Sequence, residues 1–184
     1  MDELERIAAD AAAGDPLAAA ALVRRTQSDV WRLCAALGDP GSADDLTQET
    51  YLRAFGSLHR FEGRSSVRTW LLSIARRVCA DAVRSRRRRR ITLVRDDADL
   101  EGLAVSEAHA DHPAEGAVVA DLLARLDADR REAFVLTQLL GLPYAAAAEV
   151  AGCPVGTIRS RVARARMELV ESLADPGKDD AAQA

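Results

Sequence analysis

Tyr144-Ala145-Ala146-Ala147-Ala148-Glu149-Val150-Ala151 runs into Gly152-Cys153-Pro154-Val155-Gly156, and then into Thr157-Ile158-Arg159-Ser160-Arg161-Val162-Ala163-Arg164-Ala165-Arg166. The first part is an alanine-rich helix, the second a tight Gly/Pro turn, the third a basic helix. Two helices joined this way, the second cationic, form a helix-turn-helix. Ala147, Ala148 and Val150 are spaced to pack on Ile158 and Val162, and the small side chains permit a close crossing. Thr157 is placed to cap the second helix and to meet a phosphate at its N-terminus. Arg159, Ser160 and Arg161 then reach base edges, arginine being suited to guanine O6 and N7. Arg164 and Arg166, a turn later, fall on phosphates. The bland alternative is a surface helix with solvated arginines.

The rest of the chain carries the same helical signature. Ala, Leu and Arg dominate and alternating strand patterns are scarce, which predicts an all-α protein. Gly14-Asp15-Pro16 closes a short first helix and starts a second, with Asp15 as N-cap and Pro16 at the first position. Gly38-Asp39-Pro40-Gly41 ends that helix after Leu37. A third helix spans about 42–57, followed by a loop over 58–66. A fourth runs from Val67 to Arg90. Residues 91–113 are acidic and lack an apolar stripe, so they read as a flexible linker. Helical pattern returns over 114–174, with breaks at Asp127-Ala128-Asp129, Gly141-Leu142-Pro143 and the turn already quoted. Residues 175–184 read as a frayed tail. The expected architecture is therefore two small helical domains, 1–90 and 114–174, on an acidic tether.

Charge is distributed unevenly along the 184 residues. The whole chain has 25 Lys+Arg and 29 Asp+Glu, a formal net charge of −4. Taken by segment, residues 1–58 sum to −5, 59–95 to +10, 96–132 to −8 and 133–184 to −1. Lys178 is the only lysine, a bias that a GC-rich genome or a need for bidentate phosphate contacts would equally produce. No apolar run reaches the roughly 18 residues of a membrane span, and the acidic N-terminus is not a signal peptide. Cys34, Cys79 and Cys153, odd in number and widely spaced, fit reduced thiols and a cytoplasmic location.

Two further constellations stand out. The basic stretch 60–95 interleaves Phe61 and Trp70 with Arg64, Arg68, Arg76, Arg77, Arg84 and Arg86–Arg90. Aromatics beside arginines suit stacking on unpaired bases together with phosphate neutralisation. Trp70, Leu71, Ile74 and Val78 also fit a core stripe, and Arg86–Arg90 also complements a helix dipole. Five consecutive arginines exceed what capping needs. The other constellation is Asp44-Asp45-Leu46-Thr47-Gln48-Glu49-Thr50-Tyr51-Leu52-Arg53-Ala54-Phe55. Asp45, Gln48, Glu49 and Arg53 share one helix face, while Leu46, Leu52 and Phe55 are expected to turn inward. That face fits protein docking, a solvated helix start, or an acid-pair hydrolase on Asp44 and Asp45. No histidine stands at a metal-binding spacing there. His109-Ala110-Asp111-His112 has no further ligand, so no metal, cofactor or catalytic residue is expected.

These motifs resemble a known family. The segments Gly14-Asp15-Pro16, Gly38-Asp39-Pro40, Ala43–Phe55, Phe61-Glu62-Gly63-Arg64-Ser65-Ser66 and Arg68–Arg76 are similar to region 2 of bacterial sigma factors. Cys153–Arg166 resembles region 4. Together they resemble an extracytoplasmic-function sigma factor of the sigma-70 family, the class with only these two domains. The resemblance implies that Asp45, Gln48, Glu49 and Arg53 dock on core RNA polymerase. It implies that Phe61, Arg64, Ser65, Ser66, Arg68, Trp70, Arg76, Arg77 and Arg84 meet the melted −10 non-template strand, with one base flipped into a pocket. It implies that Thr157, Arg159, Ser160, Arg161, Arg164 and Arg166 read the −35 duplex. The acidic linker would thread the polymerase channel, and an anti-sigma factor would be a further partner. Arg77 stands where relatives often carry asparagine, and Ala145-Ala146-Ala147 replaces a bulkier pattern.

Overall fold

The computed structural model describes residues 2–38, 40–93 and 113–174. Of the expected linker 91–113, residues 94–112 with the His109–His112 cluster lie outside the described residues, as does the tail after Ala174, whereas residues 91–93 belong to the helix that starts at Val67 and Pro113 starts the next one. Among those described, the ordered elements are helices and turns, with no strand. The chain divides into two units, Met1–Ala108 and His109–Ala184.

The first unit contains α1 (Glu3–Ala12), α2 (Pro16–Leu37), α3 (Ala43–Ser57) and α4 (Val67–Leu93). Local chemistry sets their starts. The Asp2 carboxylate accepts from the Glu5 N–H at 2.7 Å while Glu5 accepts from the Asp2 N–H at 2.9 Å, a reciprocal capping box. Asp15 caps α2 through the Leu17 N–H at 2.8 Å, with Pro16 at the first helical position. Short 3₁₀ turns at Pro40–Ser42 and Leu58–Arg60 join the longer helices. Gly38 ends α2 for a packing reason: a Cβ there would lie 2.7 Å from the Cys34 carbonyl oxygen and would also strike Leu46.

Helices α2, α3 and α4 pack on one another. Leu22, Val30 and Leu33 from α2, Leu46 and Ala54 from α3, and Leu71, Leu72, Ala75 and Val78 from α4 are buried in the unit. Cys34 and Cys79 are buried free thiols. Two buried threonines satisfy themselves on their own helices: Thr26 donates to the Leu22 carbonyl and Thr50 to the Leu46 carbonyl, each at 2.7 Å. Helix α1 packs on α2 and is tied to it by a bidentate Arg25–Glu3 ion pair at 2.7 and 2.9 Å.

The second unit contains α5 (Pro113–Arg125), α6 (Ala128–Phe134), α7 (Tyr144–Ala151) and α8 (Val155–Ala174). Asp127 caps α6 through the Arg130 N–H at 3.0 Å. Helix α6 passes into a π-type turn, Val135–Leu139, closed by the Leu140 N–H on the Val135 carbonyl at 2.9 Å. The apolar run through this turn stays buried at Val135, Leu136, Leu140 and Leu142. No periodicity rule separates such a widened turn from an ordinary α-turn, so its position is visible only in three dimensions.

Tyr51 joins α3 to α2 through a 2.7 Å hydrogen bond between its hydroxyl and that of Thr26. Burial pushes its phenol up to about 12, reinforced by the charge of Asp29 and opposed by the Thr26 hydrogen bond. The folded state therefore prefers the neutral phenol. This contribution is complete below the unfolded value of about 10 and disappears as pH rises towards about 12. Urea unfolding from pH 9 to 12 should show an alkaline loss of stability of up to about 1.4 kcal/mol per pH unit from this group. Tyr51→Phe should flatten that part of the profile and cost about 0.5–1.5 kcal/mol near neutrality through the lost hydrogen bond. An unchanged alkaline limb in the variant would show that Tyr51 does not titrate as argued.

Candidate nucleic-acid interface

The helix-turn-helix forms as its residues dictate. Gly152 ends α7 at φ +66, a left-handed conformation that glycine adopts without a Cβ clash. The following N–H, of Cys153, returns to the Ala148 carbonyl at 3.1 Å and closes the C-terminal turn. Ala147, Ala148 and Val150 of α7 and Ile158 and Val162 of α8 are buried together with Ala165. The small side chains thus let the two helices cross closely.

Helix α8 starts at Val155, two residues before the expected Thr157. The turn closes on Pro154, whose carbonyl accepts from the Thr157 N–H at 2.9 Å. Thr157 therefore lies inside the first turn and is not its cap. Arg159, Ser160, Arg164 and Arg166 are exposed. Arg161 behaves differently. It is half-buried, pairs with Asp129 of α6 and donates to the Cys153 sulfur at 3.7 Å. Arg166 donates to Gln138 at 2.6 Å, and Arg130 of α6 bridges Asp127 at 2.9 Å and Glu168 of α8. The arginines of α8 are legible in the sequence, but the pairings Arg161–Asp129, Arg166–Gln138 and Arg130–Glu168 span 28 to 38 residues and are not.

In the first unit, the 58–66 loop and α4 bring Phe61 and Trp70 together, ring centroids 5.1 Å apart and tilted by 49°. Both pack against a cluster formed by Ala8, Leu22, Leu58 and Val67, alongside Leu4, Ile7 and Ala11 of α1. The aromatic pair is thus anchored in the core, and α1 supplies part of the anchor. Gly63, at φ +68, turns the loop. Ser66 accepts from the Thr69 N–H at 3.1 Å and so caps α4. Arg68 reaches across to Asp29 of α2 at 2.7 Å, and Arg64 pairs with Glu62. Arg77 and Arg84 are exposed, Arg76 half-buried. Of the residues expected to meet DNA, Phe61, Ser66, Arg68 and Trp70 therefore have a structural task.

The acidic constellation lies on α3 as expected, with one correction. Leu46 is buried, but Leu52 is 70% exposed and Phe55 lies at the boundary at 37%. Three and four residues from Glu49 and Gln48, Leu52 shares their side of the helix and is an apolar part of the outward face. Trp31 of α2 donates to Asp44 at 2.9 Å. Arg53 donates to Glu49 at 2.7 Å and to Asp81 of α4 at 2.8 Å, and Arg84 donates to the other oxygen of Asp81 at 2.5 Å. The Arg53 guanidinium, with Arg84 behind it, holds the Asp81 carboxyl below the usual carboxylate range. In return Asp81, then Glu49, raises Arg53. Among the described residues, no group of His, Cys, Asp or Glu is arranged to hold a metal ion.

Comparison with known proteins accounts for both units. Residues 22–89 match the family model "Sigma-70 region 2" and residues 117–169 match "Sigma-70, region 4". The ECF RNA polymerase sigma factor SigC of Mycobacterium tuberculosis is 54% identical over 174 residues, covering 95% of this chain and 91% of its own. The chain belongs to the extracytoplasmic-function sigma factors. It is therefore a transcription-initiation subunit of RNA polymerase and not an enzyme in its own right. Among solved structures, CnrH in complex with the cytosolic domain of CnrY matches with TM-score 0.71 at 29% identity, covering 96% of this chain and 100% of that one. The sigma factor RpoE of Bartonella quintana, solved with the anti-sigma factor NepR, matches with TM-score 0.64 at 31% identity over 83% and 94% of the two chains. No described helix of this sigma factor is long and apolar enough to cross a membrane.

The two serines of the loop separate capping from DNA contact. Ser66→Ala should lower the unfolding free energy of the first unit by about 1 kcal/mol in chemical denaturation, the usual loss for an N-cap. Ser65→Ala should change it by less than about 0.5 kcal/mol. Equal stability of the two variants would refute the capping role.

Proposed function

We propose the following division of labour within this sigma factor. Residues 1–90 dock on core RNA polymerase and read the melted −10 strand. Residues 114–174 read the −35 duplex, with 91–113 as the tether between them. The docking face is Asp45, Gln48, Glu49 and Arg53 of α3, and Leu52 adds an apolar contact at its centre. The observation that carries this reading is the exposed face of α3: four polar side chains surround a leucine left in water, as expected of a protein interface.

The −10 strand runs over the 58–66 loop and along α4. Phe61 and Trp70 sit half-buried at the start of α4, Arg64 lies in the same loop, and Arg76, Arg77 and Arg84 follow along the helix, so stacking and phosphate neutralisation act on successive parts of the strand. Ser65 and Ser66 line the approach, and Arg68 orients it from its ion pair with Asp29. A base leaving the stack costs a few kcal/mol, offset by these contacts. At the −35 element α8 enters the major groove. Arg159 and Ser160 point to base edges, and Arg164 and Arg166 to phosphates. Arg161, tethered to Asp129, orients the helix against α6. Thr157 presents its hydroxyl in the first turn. The factor works in the cytoplasm, and an anti-sigma factor is a further partner, as in the structural relative solved with one.

Promoter-specific initiation by purified core polymerase tests the reading. The protein should direct initiation from a promoter with matching −35 and −10 elements, and absence of promoter-specific product would reject it. Asp45→Ala should weaken binding to core polymerase and leave binding of the second unit to −35 duplex unchanged. Arg159→Ala should cost about 1–3 kcal/mol at the −35 site and relax preference at one base pair, measured with the holoenzyme. Unchanged affinity and preference would place Arg159 in solvent.

A further inference from the structure

Helix α4 is a cationic rod with a single acid. Its sequence from Val67 to Leu93 contains nine arginines, one aspartate and no glutamate. That aspartate, Asp81, lies four residues after Arg77 and three before Arg84, within the stretch assigned above to the −10 strand. A negative charge there weakens attraction for phosphate, so its presence calls for a physical explanation.

The geometry gives one. Asp81 is held at both oxygens. Arg53 reaches it from α3 at 2.8 Å, and Arg84 reaches the other oxygen at 2.5 Å from one turn further along α4. Arg53 is steadied in turn by Glu49 at 2.7 Å. The result is a chain, Glu49–Arg53–Asp81–Arg84, running from the exposed face of α3 to the cationic face of α4. An isolated ion pair at such exposure contributes little, because two long side chains must be ordered for it. Here Arg53 already fixes the carboxylate, so Arg84 finds a pre-positioned acceptor. A phosphate approaching Arg84 competes with that carboxylate for the guanidinium and faces its charge.

We propose that Asp81 is a positioning residue that occupies Arg84 in the free protein and so restrains non-specific binding to single-stranded nucleic acid. The inference rests on the assignment of Arg84 to the −10 strand. In the holoenzyme, a correctly placed promoter strand supplies enough other contacts to draw Arg84 from the carboxylate. In the free chain, a stray strand does not. The low charge of the whole chain acts in the same direction, but Asp81 acts at the contact itself.

Salt-dependent binding of the free, full-length protein to a labelled oligothymidylate tests this. Asp81→Asn should tighten binding about two- to fivefold at low salt. It should also steepen the dependence of log K on log salt by about 0.7, the increment for one more phosphate contact on a single strand. Arg84→Gln should weaken binding and flatten the slope. Asp81→Asn in the Arg84→Gln background should add no further slope. Asp81→Glu, which keeps a carboxylate at this position, should restore the parent behaviour. Asp10→Asn, a charge-matched change on exposed α1, should give less than half the gain. Circular dichroism melts verify that each variant is folded.

An equal gain from Asp10→Asn, or a gain from Asp81→Asn that survives loss of Arg84, would overturn the proposal in favour of general charge. If Arg84→Gln weakens binding while Asp81→Asn changes nothing, the restraint is refuted and the −10 assignment of Arg84 stands. If Arg84→Gln has no effect, both fail together.

Discussion

Helix α4 must be core on one side and cationic on the other. Val67, Leu71, Ala75 and Val78 are buried among α2 and α3, while Arg77 and Arg84 face solvent. The 3.6-residue repeat makes this possible in one element, because residues three and four apart share a face. The remaining features of the first unit follow from that anchoring. Burying the apolar stripe fixes the rotation of α4, which decides where the arginines point. It also fixes the start of the helix, where Ser66 closes the first turn and the loop with Phe61 is set. A loosened stripe would displace the aromatic pair and the cationic face together.

The second unit uses a different device for the same purpose. Its first motif helix is rich in alanine, and the close crossing of α7 with α8 buries small side chains around Ile158 and Val162. Little bulk is available to set the angle of α8. Charged tethers supplement it: Arg161 to Asp129, Arg130 to Glu168 and Arg166 to Gln138 link α8 to α6 and to the π-type turn. Individually such contacts near the surface contribute little. Their placement along successive turns restrains rotation of α8. Arg161 and Arg166 hold protein partners and restrain the helix, while Arg159 and Arg164 are exposed.

The same division runs through the first unit. Arg68 is engaged with Asp29, Arg53 with Glu49 and Asp81, while Arg77 lies open to solvent. A basic protein surface attracts any nucleic acid, so affinity alone gives no selectivity. On the proposed reading, pairing part of the cationic inventory with protein acids lowers that background and leaves the geometry intact for a strand that makes several contacts at once.

Much of this was legible from the residues themselves. Capping and breaking signals act between neighbours, so Asp15-Pro16, Gly38 and Gly152 marked element ends without reference to the fold. Apolar spacing showed the all-α class, and the clustering of arginines around Arg60–Arg90 and Arg159–Arg166 marked the two stretches proposed to meet nucleic acid. Thr157 looks like a cap, but the turn closes one helical step earlier on Pro154. Leu52 looks like core because leucine usually is, yet α3 has only one face to bury, and Leu46 and Ala54 fill it. For Arg53, Arg68 and Arg161 a partner acid lies 28 to 39 residues away, brought near by packing. Local sequence carries the periodicity of each helix. The rotation of one helix against another, and hence the partner of each charge, arises only when the apolar faces meet.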